Sequence, residues 1–182
     1  MDILDDQIQI DRILNGETSA YRFLVERYKR MVYSIALKVL VNLQDAEDAA
    51  QESFLKAFQQ LHTFEQKSKF STWLYTLTYR TCLNKLRERQ SETAFLSDEV
   101  AMYQADDTPN AAELLSRHEQ AQVVKQAIDQ LPRQDGLLIL LYYYEDKSIK
   151  EIEEITNLSA SNIKIRLHRA RKVLEQQLKS IA

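Results

Sequence analysis

The sequence predicts an all-α protein made of two small helical domains joined by an acidic linker, the C-terminal domain being a helix-turn-helix. Three observations carry that expectation. Only two glycines and two prolines occur in 182 residues, which leaves few breakers for hairpins. Apolar positions fall on helical stripes, as in Ile163, Leu167, Ala170 and Leu174. Charge is sorted into blocks, with an acidic, aperiodic stretch between two basic ones.

The elements follow in order. "DQIQIDRILNG" reads as a short helix closed by Gly16, which accepts a left-handed cap. Thr18 or Ser19 opens a second helix through "YRFLVERYKRMVYSIALKVL", broken by Asn42-Leu43-Gln44. Asp45 is the expected cap of a third helix, reaching about Leu61, and its early acids suit the positive end of the helix dipole. After the loop "HTFEQKSKF", Ser71 or Thr72 opens a fourth helix to about Gln90. Residues 91–109 hold five acids and no Lys or Arg, and read as a linker between domains 1–90 and 110–182. Thr108 and Pro109 look like the cap and first position of a helix reaching Leu131. Pro132 starts "RQDGLLILLYYYE", whose apolar run fits a buried strand or a helix. Helix is expected, because the neighbours are helical and only Ile139 is β-branched. Ser148 and Glu151 form a capping-box pattern, with Ile149, Ile152 and Ile155 on one face. Asn157 tolerates the left-handed turn that must precede a last helix beginning near Ser159–Ser161. Two short helices joined by such a turn make a helix-turn-helix.

Composition removes several function classes. No apolar run approaches the roughly 20 residues that span a bilayer. "MDILDDQIQI" places acids where a signal peptide needs basic residues. The single Cys82 and the scattered His62, His118 and His168 offer neither a disulfide nor a zinc spacing. A cytoplasmic protein is expected. No Gly-rich phosphate loop occurs, no two histidines lie near each other in sequence, and the paired carboxylates Asp106-Asp107 sit in the linker, so no enzyme, metal or cofactor is expected.

Three constellations remain. Residues 161–182 hold six cations against Glu175 alone. With the stripe from Ile163 to Leu174 turned inward, Ser161, Ile165, His168, Arg169 and Lys172 lie on the opposite side, flanked by Lys164 and Arg171. That suits a helix entering a major groove, although a solvated basic helix explains the charges alone. Residues 67–90 hold six cations against Glu88 alone, mixed with Phe70, Trp73, Tyr75 and Tyr79. Aromatic faces stack on unpaired bases and cations track the backbone, yet Trp73 and Tyr79, taken one by one, fit a packed interior better. In "DAEDAAQESFLKAF", Ala46, Ala50, Phe54, Ala57 and Leu61 fall on one arc as a core face. Leu55 then points outward among Asp48, Glu52 and Gln59, with Gln51 beside them. The acids alone fit a solvated helix start; acids around an exposed leucine fit a docking surface with a polar rim.

Asp45-Ala46-Glu47-Asp48, Gln51-Glu52, Phe54, Lys56-Ala57-Phe58 and Phe70-Ser71-Thr72-Trp73-Leu74 resemble the core-binding and adjoining segments of bacterial RNA polymerase sigma factors. Leu131-Pro132 with "SIKEIEEITNLSASNIKIRLHRARKVL" resembles their C-terminal helix-turn-helix. Length and two-domain layout resemble the extracytoplasmic-function subgroup. The resemblance implies docking on the clamp of the largest polymerase subunit through Asp45, Asp48, Gln51, Glu52 and Leu55. It implies recognition and melting of the −10 element by Phe64, Lys67, Ser68, Lys69, Phe70, Trp73, Arg80 and Lys85. A base flipped from the non-template strand would enter a pocket at Phe64–Phe70. It implies −35 reading by Ser161, Asn162, Lys164, Ile165, Arg166, His168, Arg169 and Lys172, with the second domain also on the polymerase flap. The linker would thread the RNA exit channel. The chain would act as a monomer within the holoenzyme, with an anti-sigma factor a frequent partner in the family. Asn157, Ser161-Asn162 and Ile165 depart from the Gly, Gly-Thr and Ser that many relatives carry there. Two other readings compete. A dimeric helix-turn-helix regulator leaves the Leu55 face unexplained, and a protein-only adaptor leaves both basic blocks unexplained.

Overall fold

The computed structural model describes residues 2–93 and 115–179. These residues form eight α-helices and no strand: α1 (Asp2–Leu14), α2 (Tyr21–Leu40), α3 (Leu43–Gln60), α4 (Phe70–Thr93), α5 (Leu115–Asp129), α6 (Arg133–Ile139), α7 (Ile149–Thr156) and α8 (Ala160–Lys179). Two compact units result, one holding α1 to α4, the other α5, α6, the start of α7 and α8.

In the first unit, α2, α3 and α4 pack against one another, and α1 lies on α2. Ala46, Ala49, Ser53 and Ala57 give α3 a buried stripe of small residues, which lets its backbone approach its neighbours closely. Leu24, Val32 and Ile35 of α2 meet that interior, with Leu74 and Tyr75 of α4 fully buried as well. Each large side chain removed from water in this way stabilises the fold by about 1.5–3 kcal/mol. Buried hydroxyls are satisfied locally: Ser53 donates to the Ala49 carbonyl (2.6 Å), Thr76 to Thr72 (2.8 Å) and Thr78 to Leu74 (2.9 Å).

Several boundaries differ from expectation. The cap of α3 is Asn42, not Asp45: its side-chain oxygen accepts the Asp45 N–H at 3.0 Å. Val41 supplies the break with φ 69°, and Leu43 and Gln44 are already helical. Residues 91–93 continue α4. The rest of the expected linker, 94–109, and the helix start at Thr108–Pro109 lie outside the described residues. Phe54, expected in the core, is half-buried, and its place inside is taken by Ser53, whose hydroxyl bonds its own helix.

In the second unit, α8 packs on α5 and α6. The apolar run after Pro132 is helical, as expected. Asp135 through Ile139 are buried, and the chain continues as a π-helical turn, Leu140–Tyr144. Leu141 is buried there while Tyr142, Tyr143 and Tyr144 are exposed. The capping box forms: the Ser148 N–H donates to Glu151 Oε2 (2.9 Å) and the Glu151 N–H to Ser148 Oγ (3.3 Å). Asn157 takes φ 58° and Gly16 takes φ 99°, the left-handed positions the sequence marks.

Candidate polymerase-docking and nucleic-acid surfaces

On α3, Leu55 is 57 % exposed, with Asp48 and Gln51 also in solvent. Asp45 and Glu52 are half-buried, because α4 supplies cations to both. Arg89 pairs with Asp45, and Lys85 lies 3.4 Å from Glu52 Oε2. Lys56, one turn along, sits 2.6 Å from Glu52 Oε1. The hydrogen bond from Lys56 holds the Glu52 carboxyl below its usual range; partial burial opposes this, and Lys85 adds to it. Asp48 accepts a hydrogen bond from Gln44 at 3.2 Å.

Leu55 is not isolated. It borders a groove of about 580 Å³ lined also by Thr18, Ser19, Tyr21, Arg22, Phe54 and Phe58. The Tyr21 and Phe58 rings lie 4.9 Å apart, and the Tyr21 hydroxyl donates to the Phe54 carbonyl at 2.6 Å. Burial pushes that hydroxyl's pKa well up, so it stays a donor. Sequence reasoning missed the groove. Its walls come from the turn before α2, the first residues of α2, and α3, segments that no single-helix pattern in the sequence brings together.

The loop after α3 and the start of α4 form an aromatic cluster. Phe64 lies 5.3 Å from Trp73 and 5.7 Å from Phe70, and Phe70 lies 5.7 Å from Trp73. Phe70 is buried, while Phe64 and Trp73 are half-buried. Tyr75 and Tyr79 are interior, so of the two roles open to Tyr79 the packed one applies. Lys67, Lys69 and Arg80 are exposed, Ser68 is half-buried, and Lys67 pairs with Glu65. Lys85, expected to face DNA, points its ammonium at Glu52. A cavity of about 210 Å³ opens beside the loop, lined by Phe64, Gln66, Ser68, Lys69 and Phe70 and, from α1, by Asp6, Gln7 and Ile10.

On α8, Ile163, Leu167 and Ala170 are buried. Ser161, Lys164, Ile165, His168, Arg169, Arg171 and Lys172 stand in solvent. The N-terminus of α8 is fastened by Glu153, whose Oε1 accepts the Ala160 N–H at 2.6 Å. Arg166 and Asn162 differ from the other expected DNA readers. Arg166 Nη1 lies 2.7 Å from Asp135, which is 2 % exposed, and Arg166 Nε donates to Asn162 Oδ1 at 2.9 Å. These two side chains clasp α8 to α6 rather than standing free at its surface.

Among the described residues no helix is long and apolar enough to cross a membrane. No cluster of His, Cys, Asp and Glu among them has metal-binding geometry.

Residues 24–92 match the family model for Sigma-70 region 2, and residues 121–174 the model for Sigma-70, region 4. The chain is 31 % identical to the ECF RNA polymerase sigma factor SigW of Bacillus subtilis (strain 168), across 95 % of this chain and 96 % of that protein. It is 26 % identical to the RNA polymerase sigma-H factor of Pseudomonas aeruginosa, across 97 % of this chain and 95 % of the relative. Among solved structures it resembles the sigma factor RpoE in complex with the anti-sigma factor NepR from Bartonella quintana. The TM-score there is 0.71 at 24 % identity, with 87 % of this chain and 96 % of that one covered. It also resembles CnrH in complex with the cytosolic domain of CnrY, with a TM-score of 0.64 at 21 % identity over 98 % and 99 % of the two chains.

Proposed function

The chain belongs to the extracytoplasmic-function RNA polymerase sigma factors, and from that premise we propose how its surfaces divide the family's task. The protein binds core RNA polymerase and directs promoter-specific initiation by reading the −10 and −35 elements. Residues 1–90 dock on the polymerase and open the −10 element; residues 110–182 read the −35 element and rest on the polymerase flap; residues 91–109 join them along the RNA exit path.

The observation that carries this assignment is the pairing of an acid-rimmed apolar surface at Leu55 and Phe58 with a solvent-facing cationic edge on α8. The first suits a helical partner bearing basic residues around an apolar contact. The second suits a major groove, with Ser161 and Lys164 early enough to reach base edges and Arg169 and Lys172 further along. Asp45, Asp48, Gln51 and Glu52 rim the first surface. The −10 contacts fall to Phe64, Lys67, Ser68, Lys69 and Trp73, with Arg80 along α4, while Lys85 is engaged with Glu52.

The contribution is recognition, with phosphodiester chemistry left to the polymerase. The protein acts where the polymerase is, in the cytoplasm, as a monomer within the holoenzyme. The two similar solved structures are complexes, RpoE with the anti-sigma factor NepR and CnrH with the cytosolic domain of CnrY. A protein of the anti-sigma kind is the proposed means of holding this chain inactive.

The test is binding of the full chain to purified core polymerase. Leu55→Asp places a charge in the desolvated centre of the docking surface and should weaken assembly at least about tenfold, the cost of one lost anchor. It should leave −35 DNA binding unchanged. Unchanged polymerase affinity in a folded Leu55→Asp chain would remove α3 from the docking surface.

A further inference from the structure

The cavity beside the 64–69 loop has two walls of different origin. Phe64 and Phe70 supply flat aromatic carbon from the loop side. From α1 come Ile10, which is 1 % exposed, and Gln7. A volume of about 210 Å³ accommodates one planar heterocycle and not a base pair.

The α1 wall is fixed in place. Asp6, 6 % exposed, takes a hydrogen bond from Arg27 Nη1 at 2.8 Å and another from the Tyr28 hydroxyl. The Tyr28 ring in turn lies 5.6 Å from Phe70, on the opposite wall. Helix α1 and the aromatic floor are therefore held by one chain of contacts, so a base admitted between them meets a preformed slot. Gln7 gives one N–H to Asp11 Oδ1 at 2.7 Å. Its carbonyl oxygen and second N–H remain for a ligand, the donor–acceptor pair with which an amide reads a base edge.

We propose that α1 forms one side of the pocket for a base extruded from the melted −10 strand, and that Gln7 is a specificity-determining residue for that base. The proposal rests on the sigma-factor reading above. Extruded bases are read by hydrogen bonds to their exposed edge and by packing between apolar faces, and this cavity offers both. Lys69, also on the cavity wall, is placed for the flanking phosphate.

The experiment uses holoenzyme reconstituted from core polymerase and the full chain, with promoters randomised across the −10 region and matched bubble templates. Gln7→Ala should flatten base preference at one melted position by about tenfold, the loss expected of one hydrogen-bonded edge. Gln7→Glu keeps the shape but removes the donors, and should change which base is preferred there. Preference at −35 should not move in either variant. Identical −10 profiles for wild type and both Gln7 variants would overturn the proposal. So would a shift confined to Gln66→Ala, which would put the reading on the loop alone. Failure of the wild-type holoenzyme to select any promoter would instead remove the sigma-factor reading, and this proposal with it.

Discussion

Arg166 and Arg169 stand three residues apart on α8 and meet different surroundings. Arg169 is exposed; Arg166 reaches a carboxylate that is almost wholly out of water. Arg169→Ala should cost roughly 1–3 kcal/mol on the preferred −35 sequence and much less on others. Equal loss on every sequence, measured by DNA titration, would make it a phosphate contact. Arg166→Ala should act on stability instead, leaving Asp135 buried without its cation. About 3 kcal/mol is expected, the low end for fully buried pairs, because Arg166 keeps some exposure. Urea denaturation checks it, and Asp135→Asn in the Arg166→Ala background should recover part of the loss. The sequence could not separate the two arginines. Asp135 lies 31 residues away, and nothing in local spacing marks it as a partner. The same holds for Asp6 with Arg27 and Tyr28. By contrast Gly16, Asn157 and the Ser148–Glu151 box were legible, since their geometry is set within a few residues.

At the scale of elements, α3 and α4 share their charges. The acids assigned to the polymerase, Asp45 and Glu52, are paired with Arg89 and Lys85 of the basic helix assigned to DNA. The helix wheel of α3 found Leu55 outside, which the structure bears out, but placed Phe54 inside. It had no means of seeing that Ser53 satisfies its hydroxyl on the Ala49 carbonyl and so tolerates the core. Glu52 also sets a pH dependence. Its carboxyl is depressed mainly by the Lys56 hydrogen bond. Glu52 therefore stabilises the folded chain above the ordinary value of 4.5, and that contribution is lost as pH falls through the lower folded value. Half-exposure keeps the effect small. Glu52→Gln should flatten the acid limb of a thermal-stability profile below that pH and change little at neutrality. An unchanged acid limb would show that the pairs do not fasten α3.

At the scale of the whole molecule, a net charge of −3 conceals two basic surfaces. Block-wise charge, not the total, made nucleic acid a credible partner. Promoter binding by the holoenzyme should weaken with salt, and Lys172→Ala should reduce the slope of log affinity against log salt by about one if that side chain meets a phosphate. What the sequence left out is cooperation between distant segments, the α1 wall of the 210 Å³ cavity above all. Its residues lie more than fifty positions from the loop they face, and only folding brings them together.

The most direct test of the central claim is run-off transcription by core polymerase and this chain from a fully randomised promoter library. Recovered templates should share two sequence blocks at a fixed separation, near −10 and −35 of a common start, and none should be recovered without the chain. No enriched block with the folded chain present, or an inverted repeat bound in the absence of polymerase, would contradict the account.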